Sequence, residues 1–285
     1  MEKKKNYGLI IGILIVIIVC LVGFIGLLVS GVVSFKVNNS SKATESLESN
    51  NSELNADAKV SENSDFVITY KEETEEFKNS NGSVVITNKR NLPVISSNGN
   101  KSSADKIVKY LTDVSNKDWN DLKDTSNGYA KDFPDDYKVG VEYKFGTVMN
   151  NTMSIVSFSY DMSGSMGGVS WIGNWGYNFD KSSGDVLEFD DVINNSSAKD
   201  NLYDYIVKDI ENSGNYDSLW DNDVSGYWKD LVKENMFNLG NWLFTDKGIT
   251  VTFDKYLLGP GATGVISVDI PYGELNNYLK DEYKR

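Results

Sequence analysis

The chain has 285 residues, and its 28 lysine and arginine residues against 41 aspartate and glutamate residues give a net charge of −13. It contains no histidine and a single cysteine, which excludes histidine-based catalytic or metal sites and any internal disulfide bond. The acidic balance argues against nucleic acid as a partner, and it would steer a basic protein towards the surface.

An uncharged apolar run extends from Leu9 to Val33. It is longer than the roughly 20 residues that a helix needs to cross a bilayer, and longer than the apolar region of a cleavable signal peptide. Three lysines, residues 3–5, precede the run, whereas only Lys36 follows it closely. The positive-inside rule therefore predicts a signal-anchored, single-pass protein of the cell membrane, with residues 1–8 in the cytoplasm and the C-terminal domain outside.

Residues 34–64 are polar and rich in Asn, Ser and Glu, a composition typical of a disordered stalk. A flexible coil of this length spans on the order of 30 Å, enough to lift a domain off the bilayer. The remainder is rich in aromatic residues, and we expect it to fold into two small subdomains, residues 65–193 and residues 194–285.

The N-terminal subdomain begins with alternating apolar and polar residues that predict strands. A helix capped near Ser102 or Ser103 follows, and then a second helical stretch that contains Trp119 and ends near Gly128. The predicted strands of this half are Phe66–Tyr70, Ser83–Thr87, Lys138–Val148, Met153–Asp161, Trp175–Phe179 and Asp185–Phe189.

The C-terminal subdomain begins with two helices, one capped by Ser197 and a shorter one over Ser225–Asn235. Three strands follow, the first two joined by the turn Asp246–Gly248, and Pro271 suits the first turn of a last helix over residues 271–283. The predicted strands are Trp242–Thr245, Ile249–Phe253 and Val265–Ile270. The fold class is therefore α+β, with antiparallel sheets covered by helices and one transmembrane helix before them.

The segment Gly259–Gly264 reads GPGATG and matches the glycine pattern of a dinucleotide-binding turn. Such a turn needs a helix N-terminus after it, because the helix amides hold the phosphate. Here a strand follows instead. We therefore expect no nucleotide cofactor, and we expect the glycines to permit a tight crossover between neighbouring strands.

The run from Asn241 to Leu279 resembles the C-terminal domain of the RsiV family, membrane-anchored bacterial anti-sigma factors whose outer part binds lysozyme. The shared pattern is the Asp-Lys-Gly turn at Asp246–Gly248, the FDxY strand at Phe253–Tyr256, Gly264, and Ile270–Tyr272 at a helix start. The segment before it, YNFDKSSGDVLEFDDVI, is similar to a partner domain found in that family and in PdaC peptidoglycan deacetylases. The resemblance implies a Gram-positive cell-envelope protein.

The sequence also departs from these families. About eight residues precede the predicted span, which leaves no room for a segment that holds a sigma factor, so we do not expect sigma-factor inhibition. Deacetylases of the PdaC type use a metal domain with histidine ligands, and this chain has no histidine. We therefore do not expect deacetylation.

Two acidic patterns in the sequence could support chemistry. Asp221–Gly226 matches the start of a calcium loop, but Val232 stands where the bidentate glutamate should be. The adjacent pairs Asp190-Asp191 and Asp135-Asp136 could contribute to a hydrolase with two carboxylates, although adjacent acids more often cap helices or lie on the surface. We predict no catalytic, metal-binding or cofactor-binding residue.

Aromatic residues interspersed with glycines give the segment Gly164–Tyr177 an unusual composition. Exposed rings there could stack on sugars or anchor a protein partner, or they could simply be buried by a strand. The candidate ligand-binding residues are Trp171, Trp175, Tyr177 and Tyr256. The expected function is a non-enzymatic outer module that binds a lysozyme-like basic protein or cell-wall glycan; the alternatives are a carboxylate-based glycan hydrolase and a structural envelope protein.

Overall fold

A computed structural model of the chain describes residues 66–149, 155–166, 168–221 and 226–285. The predicted cytoplasmic N-terminus, transmembrane helix and stalk, residues 1–64, lie outside the described residues. Across the described ranges, no helix is long and apolar enough to cross a membrane.

A five-stranded sheet with the order β1-β2-β3-β4-β5 forms the first layer. All neighbours pair antiparallel except β2 and β3, which are parallel because a helix connects them. The predicted class of antiparallel α+β sheets is thus confirmed apart from this one pairing. The strands are β1 (Phe66–Lys78), β2 (Val84–Ser97), β3 (Gly140–Met149), β4 (Ile155–Met166) and β5 (Val169–Asp180).

One 30-residue helix, α1 (Lys101–Ala130), connects β2 to β3 and covers one face of this sheet. The two helical stretches predicted here are therefore continuous. The buried face of α1 is continuous because small serines, such as Ser115 and Ser126, are buried between its larger apolar residues. The predicted caps Ser102 and Ser103 are also wrong, since the Asn100 side chain accepts the hydrogen bond from the N–H of Ser103.

A three-stranded antiparallel sheet with the order β6-β7-β8 forms the second layer, and its core contains the buried Trp228 and Trp242. The predicted turn Asp246–Gly248 does lead into the middle strand. The strands are β6 (Trp242–Phe244), β7 (Gly248–Phe253) and β8 (Ile266–Pro271), and the helices are α2 (Phe189–Val192), α3 (Ala198–Glu211), α4 (Tyr227–Asn235) and α5 (Tyr272–Leu275).

Asn178 of β5 joins the two sheets. Its amide nitrogen donates to the carbonyl of Trp242 at 3.1 Å, and its side-chain oxygen accepts from the N–H of Phe244 at 2.9 Å and from the Ser157 hydroxyl at 2.7 Å. The Asn178 side chain is only 1% exposed, so all three bonds are shielded from water. A side chain thus supplies the bonds that a neighbouring strand would otherwise make.

Two predicted elements at the ends of the second layer are wrong. The segment Asp185–Phe189 is not a strand: only Val186 forms an isolated bridge, and Glu188 and Asp191 form a capping box that starts α2. The last helix is also short, because α5 ends at Leu275 and only a 3₁₀ turn, Asp281–Tyr283, follows. Ser197 does occupy the position before α3, although its side chain makes no capping bond.

Candidate functional site

Trp175 and Tyr177 project from the same face of β5, because alternate residues of a strand share a face. This face packs against α1. The Trp175 ring lies 5.6 Å from the ring of Tyr160 on β4, and Tyr177 meets Tyr110 of α1 edge-on at 5.9 Å. Tyr177 is buried and Trp175 half-buried, so the structure brings these two predicted residues together. Trp171 pairs with Gly164 in the ladder, but its side chain is not described.

The Trp175 indole contacts a carboxylate from the second layer. Its Nε1–H donates to Oδ2 of Asp254, the residue directly after β7, at 2.8 Å. The other oxygen, Oδ1, is buried and has no hydrogen-bond partner among the described residues. Burial raises the pKa of Asp254, while the Trp175 bond and the backbone N–H of Asn174 oppose that shift.

A second half-buried carboxylate, Asp118 of α1, lies near Tyr160 and Tyr177. Burial raises its pKa, and the nearby Tyr160 hydroxyl opposes the rise. That hydroxyl belongs to a residue only 1% exposed, and it finds no partner with hydrogen-bond geometry in the described part of the chain. The pKa of Tyr177 is raised by burial, and both Asp118 and Asp254 add to the rise. We call Asp118, Tyr160, Trp175, Tyr177 and Asp254 the Trp175 site.

Tyr256, two residues after Asp254, is 60% exposed. Its φ of 74° is in the left-handed region, which costs a residue other than glycine about 1–3 kcal/mol. The backbone around it is fixed: the Trp220 indole donates to the Tyr256 carbonyl at 3.4 Å, and the ammonium group of Lys255 donates to the Ser170 carbonyl at 3.2 Å. Trp220 is itself 39% exposed. Tyr256 and Trp220 are thus two exposed aromatic residues joined through the Tyr256 carbonyl, and Tyr256 is two residues from Asp254 of the Trp175 site.

The glycines of the GPGATG segment shape this loop. A Cβ at Gly261 would lie 2.4 Å from the Tyr256 ring, and one at Gly259 would lie 2.7 Å from the Ser218 carbonyl. Gly264 has a φ of 76°, and β8 follows it. The segment connects the antiparallel neighbours β7 and β8, so the predicted crossover is confirmed.

The other acidic patterns have structural partners. Asp190 pairs with Lys199 at 2.7 Å, Asp191 accepts the backbone N–H of Glu188, and Asp135 accepts from the Asn79 amide at 2.6 Å. Most of the predicted calcium loop, residues 222–225, is not described. Within the described ranges, no group of three or more Cys, Asp or Glu residues could hold a metal ion.

Sequence reasoning missed Asp118 and Asp254 as site residues. Asp254 is the second residue of the FDKY motif, which offered a signal, whereas Asp118 is one of many acids on α1 and offered none. Trp175 and Asp254 are 79 residues apart, so only the tertiary fold shows that they meet.

Part of the chain matches a known protein family. A family described as "Protein of unknown function (DUF3298)" matches residues 190–273. No curated protein matches the chain. Among solved structures, a DUF3298 family member from Bacteroides fragilis aligns with a TM-score of 0.50 at 14% identity, covering 76% of this chain and 94% of its own.

A DUF3298 family protein from Pseudomonas aeruginosa aligns with a TM-score of 0.44 at 12% identity, covering 76% of this chain and 96% of its own. At such low identity the Bacteroides match shows a shared fold and nothing about activity. The matched residues 190–273 contain Asp254 and Tyr256 but neither Asp118 nor Trp175. The chain therefore carries a DUF3298 domain at residues 190–273, which supplies one side of the Trp175 site.

Proposed function

We propose that the chain is a non-enzymatic binding module, tethered to the membrane by residues 9–33 and presented outside the cell on the stalk. Its ligand is a protein or a cell-wall glycan, and lysozyme-like basic proteins are the first to test. The resemblance of Asn241–Leu279 to the RsiV family motivates this choice, and the net charge of −13 favours a basic partner.

The observation that carries the proposal is the exposed, strained Tyr256. A protein gains no stability from holding a large aromatic ring in water on a left-handed backbone, and backbone strain of this kind clusters at binding sites. Trp220, whose indole donates to the Tyr256 carbonyl, is a second exposed aromatic residue. Tyrosine and tryptophan are the side chains enriched where partners contribute most binding energy, and they also stack on sugars.

The predicted acid pairs support binding over hydrolysis. A glycosidase needs two carboxylates facing each other across the scissile bond. Asp190 and Asp191 instead pair with Lys199 and cap α2, and Asp135 accepts hydrogen bonds from Asn79 and Asn81. These acids therefore make ion pairs or hydrogen bonds within the described fold.

The test is a binding measurement on the outer fragment Asp65–Arg285 with purified lysozymes and with soluble peptidoglycan fragments. Tyr256→Ala should weaken binding by about 2 kcal/mol, since truncating an aromatic anchor commonly costs this much. Tyr129 is the matched control, because it is 52% exposed but lies at the end of α1. Equal losses for Tyr256→Ala and Tyr129→Ala, or no binding to either ligand class, would contradict the proposal.

A further inference from the structure

The Trp175 site contains two desolvated carboxylates without a cation. In the described part of the chain, no lysine or arginine lies within ion-pair distance of Asp118 or Asp254. Lys117 acts on Asp118 only through its charge at a distance. Lys255 follows Asp254 directly, yet its ammonium group is bound to the Ser170 carbonyl. Partly buried carboxylates are costly unless they are paired.

Two buried polar atoms of this cluster, Oδ1 of Asp254 and the Tyr160 hydroxyl, have no partner within ordinary hydrogen-bond distance and angle among the described residues, although the Tyr160 hydroxyl lies near Asp118 and Ser115. Oδ1 of Asp254 can only accept a hydrogen bond, and the Tyr160 hydroxyl can donate or accept one. Tyr160 is almost fully buried, and its ring contacts Trp175, whose indole already serves Oδ2 of Asp254. Buried polar groups are normally satisfied, so these atoms can accept one more donor, which bound water or a ligand can supply.

The remaining wall of the site is aromatic. Trp175 is half-buried and lies against Tyr160. Tyr177 lies on the same face of β5, and the charges of both carboxylates raise its pKa. Aromatic faces attract ammonium and guanidinium groups, and tryptophan attracts them most. Asp118, Trp175 and Asp254 each retain some solvent exposure, so a group from solvent can approach the exposed edges of these side chains, although Oδ1 of Asp254 is itself buried.

We propose that the Trp175 site binds the cationic side chain of a lysine or arginine of a basic protein partner. The inference rests on the proposed function and names the chemistry that this site would recognise. The cation lies beside the exposed part of the Trp175 ring, and the charges of Asp254 and Asp118 neutralise it. A neutral sugar would leave both charges unpaired, and a divalent metal would lack a third carboxylate or thiolate ligand in the described cluster.

Charged residues from two elements lie near the Trp175 site. From α1 come Asp118, Asp121 and Lys117, and from the segment after β7 come Asp254 and Lys255. Asp161 of β4 lies on the opposite face of the sheet, where it accepts from Asn174.

The experiment uses the full chain in detergent micelles, labelled with 5-fluorotryptophan, with Trp175→Phe to assign the Trp175 signal in ¹⁹F NMR spectra. The probes are Nα-acetyl-lysine amide and Nα-acetyl-arginine amide, with Nα-acetyl-norleucine amide as the uncharged control. We expect both cationic probes to shift the Trp175 signal saturably and the norleucine probe to leave it in place. Asp254→Asn should weaken cation binding about tenfold, whereas Asp136→Asn, an exposed acid elsewhere, should not change it.

The outcomes separate this inference from the proposed function. Equal shifts with the norleucine probe, no shift with any probe, or unchanged affinity in Asp254→Asn would overturn cation binding at Trp175. Because the small probes need no protein partner, they can succeed even if lysozyme and glycan binding both fail. Conversely, a macromolecule bound through Tyr256 with a silent Trp175 signal would refute the inference and leave the proposed function intact.

Discussion

The hydrogen bond between Trp175 and Asp254 links the five-stranded sheet to the DUF3298 domain, and removing it should cost measurable stability. The perturbation is a double-mutant cycle that combines Trp175→Phe with Asp254→Ala. Phenylalanine keeps a ring against Tyr160 but lacks the donor, and alanine removes the acceptor.

The expected magnitude follows from the geometry. The N–O distance of 2.8 Å is that of a well-formed bond, and a bond to a charged acceptor contributes about 1.5–3 kcal/mol. Phenylalanine is also smaller than tryptophan, so the substitution loses about 40 Å² of buried apolar surface, which lowers the free energy of unfolding by about 1 kcal/mol. Trp175→Phe should therefore lower the free energy of unfolding by about 2.5–4 kcal/mol. The surface contribution occurs in both backgrounds, so the cycle should isolate a coupling of about 1.5–3 kcal/mol.

Urea unfolding at neutral pH, followed by far-UV circular dichroism, supplies the four free energies. Independent sites add to within about 0.5 kcal/mol. A coupling below that limit would show that the two side chains do not interact in solution, and would remove the Trp175 site as a unit. Unchanged denaturant slopes among the four proteins would show that only the folded state was altered.

Three further predictions follow from other parts of the chain. Gly264→Val should destabilise the protein by about 1–3 kcal/mol in thermal unfolding, because φ at Gly264 is 76°, although a Cβ there would meet no atom within 4 Å. The control is Gly273→Ala, which lies in equally open space within α5 and should stabilise the protein by about 0.5–1 kcal/mol in the same measurement. Asn178→Ala should cost about 2–5 kcal/mol in urea unfolding, since it leaves buried backbone groups of β6 unpaired, and a loss below about 1 kcal/mol would show that Asn178 does not join the two sheets. Protease added to intact cells should release a fragment that begins within residues 37–64, and an uncut stalk would contradict the predicted orientation.

The local pattern of the sequence predicts most of the secondary structure. Alternation in β7 and β8 and the turn at Asp246–Gly248 are local features, so the predicted strands of that sheet match the structure closely. The segment Asp185–Phe189 alternates in the same way, yet the capping box between Glu188 and Asp191 starts a helix there. Local hydrogen bonding prevailed over the apolar period at this point.

The long helix and the candidate site depend on contacts that no local pattern contains. Ser115 and Ser126 are polar, but each is buried against a polar side chain of β2, Arg90 or Asn88 respectively, so the apolar period of α1 breaks where the helix does not. Local patterns also cannot predict the Trp175 site, because Asp118 lies in α1, Trp175 lies in β5 and Asp254 follows β7. Aromatic composition predicted Trp175 and Tyr177, while the carboxylates needed the tertiary fold.

The protonation of Asp254 connects the stability of the fold to the proposed recognition of a cation. Since burial raises its pKa, the folded chain keeps this proton to a higher pH than the unfolded chain does, and stability falls as pH rises from the ordinary pKa of aspartate through the raised one. Asp118 acts in the same direction, because burial raises its pKa as well. A bound cation favours the charged carboxylates, so it should stabilise the fold most at a pH above both raised pKa values. The cost of holding two unpaired carboxylates at neutral pH is thus the same free energy that a basic side chain would recover on binding.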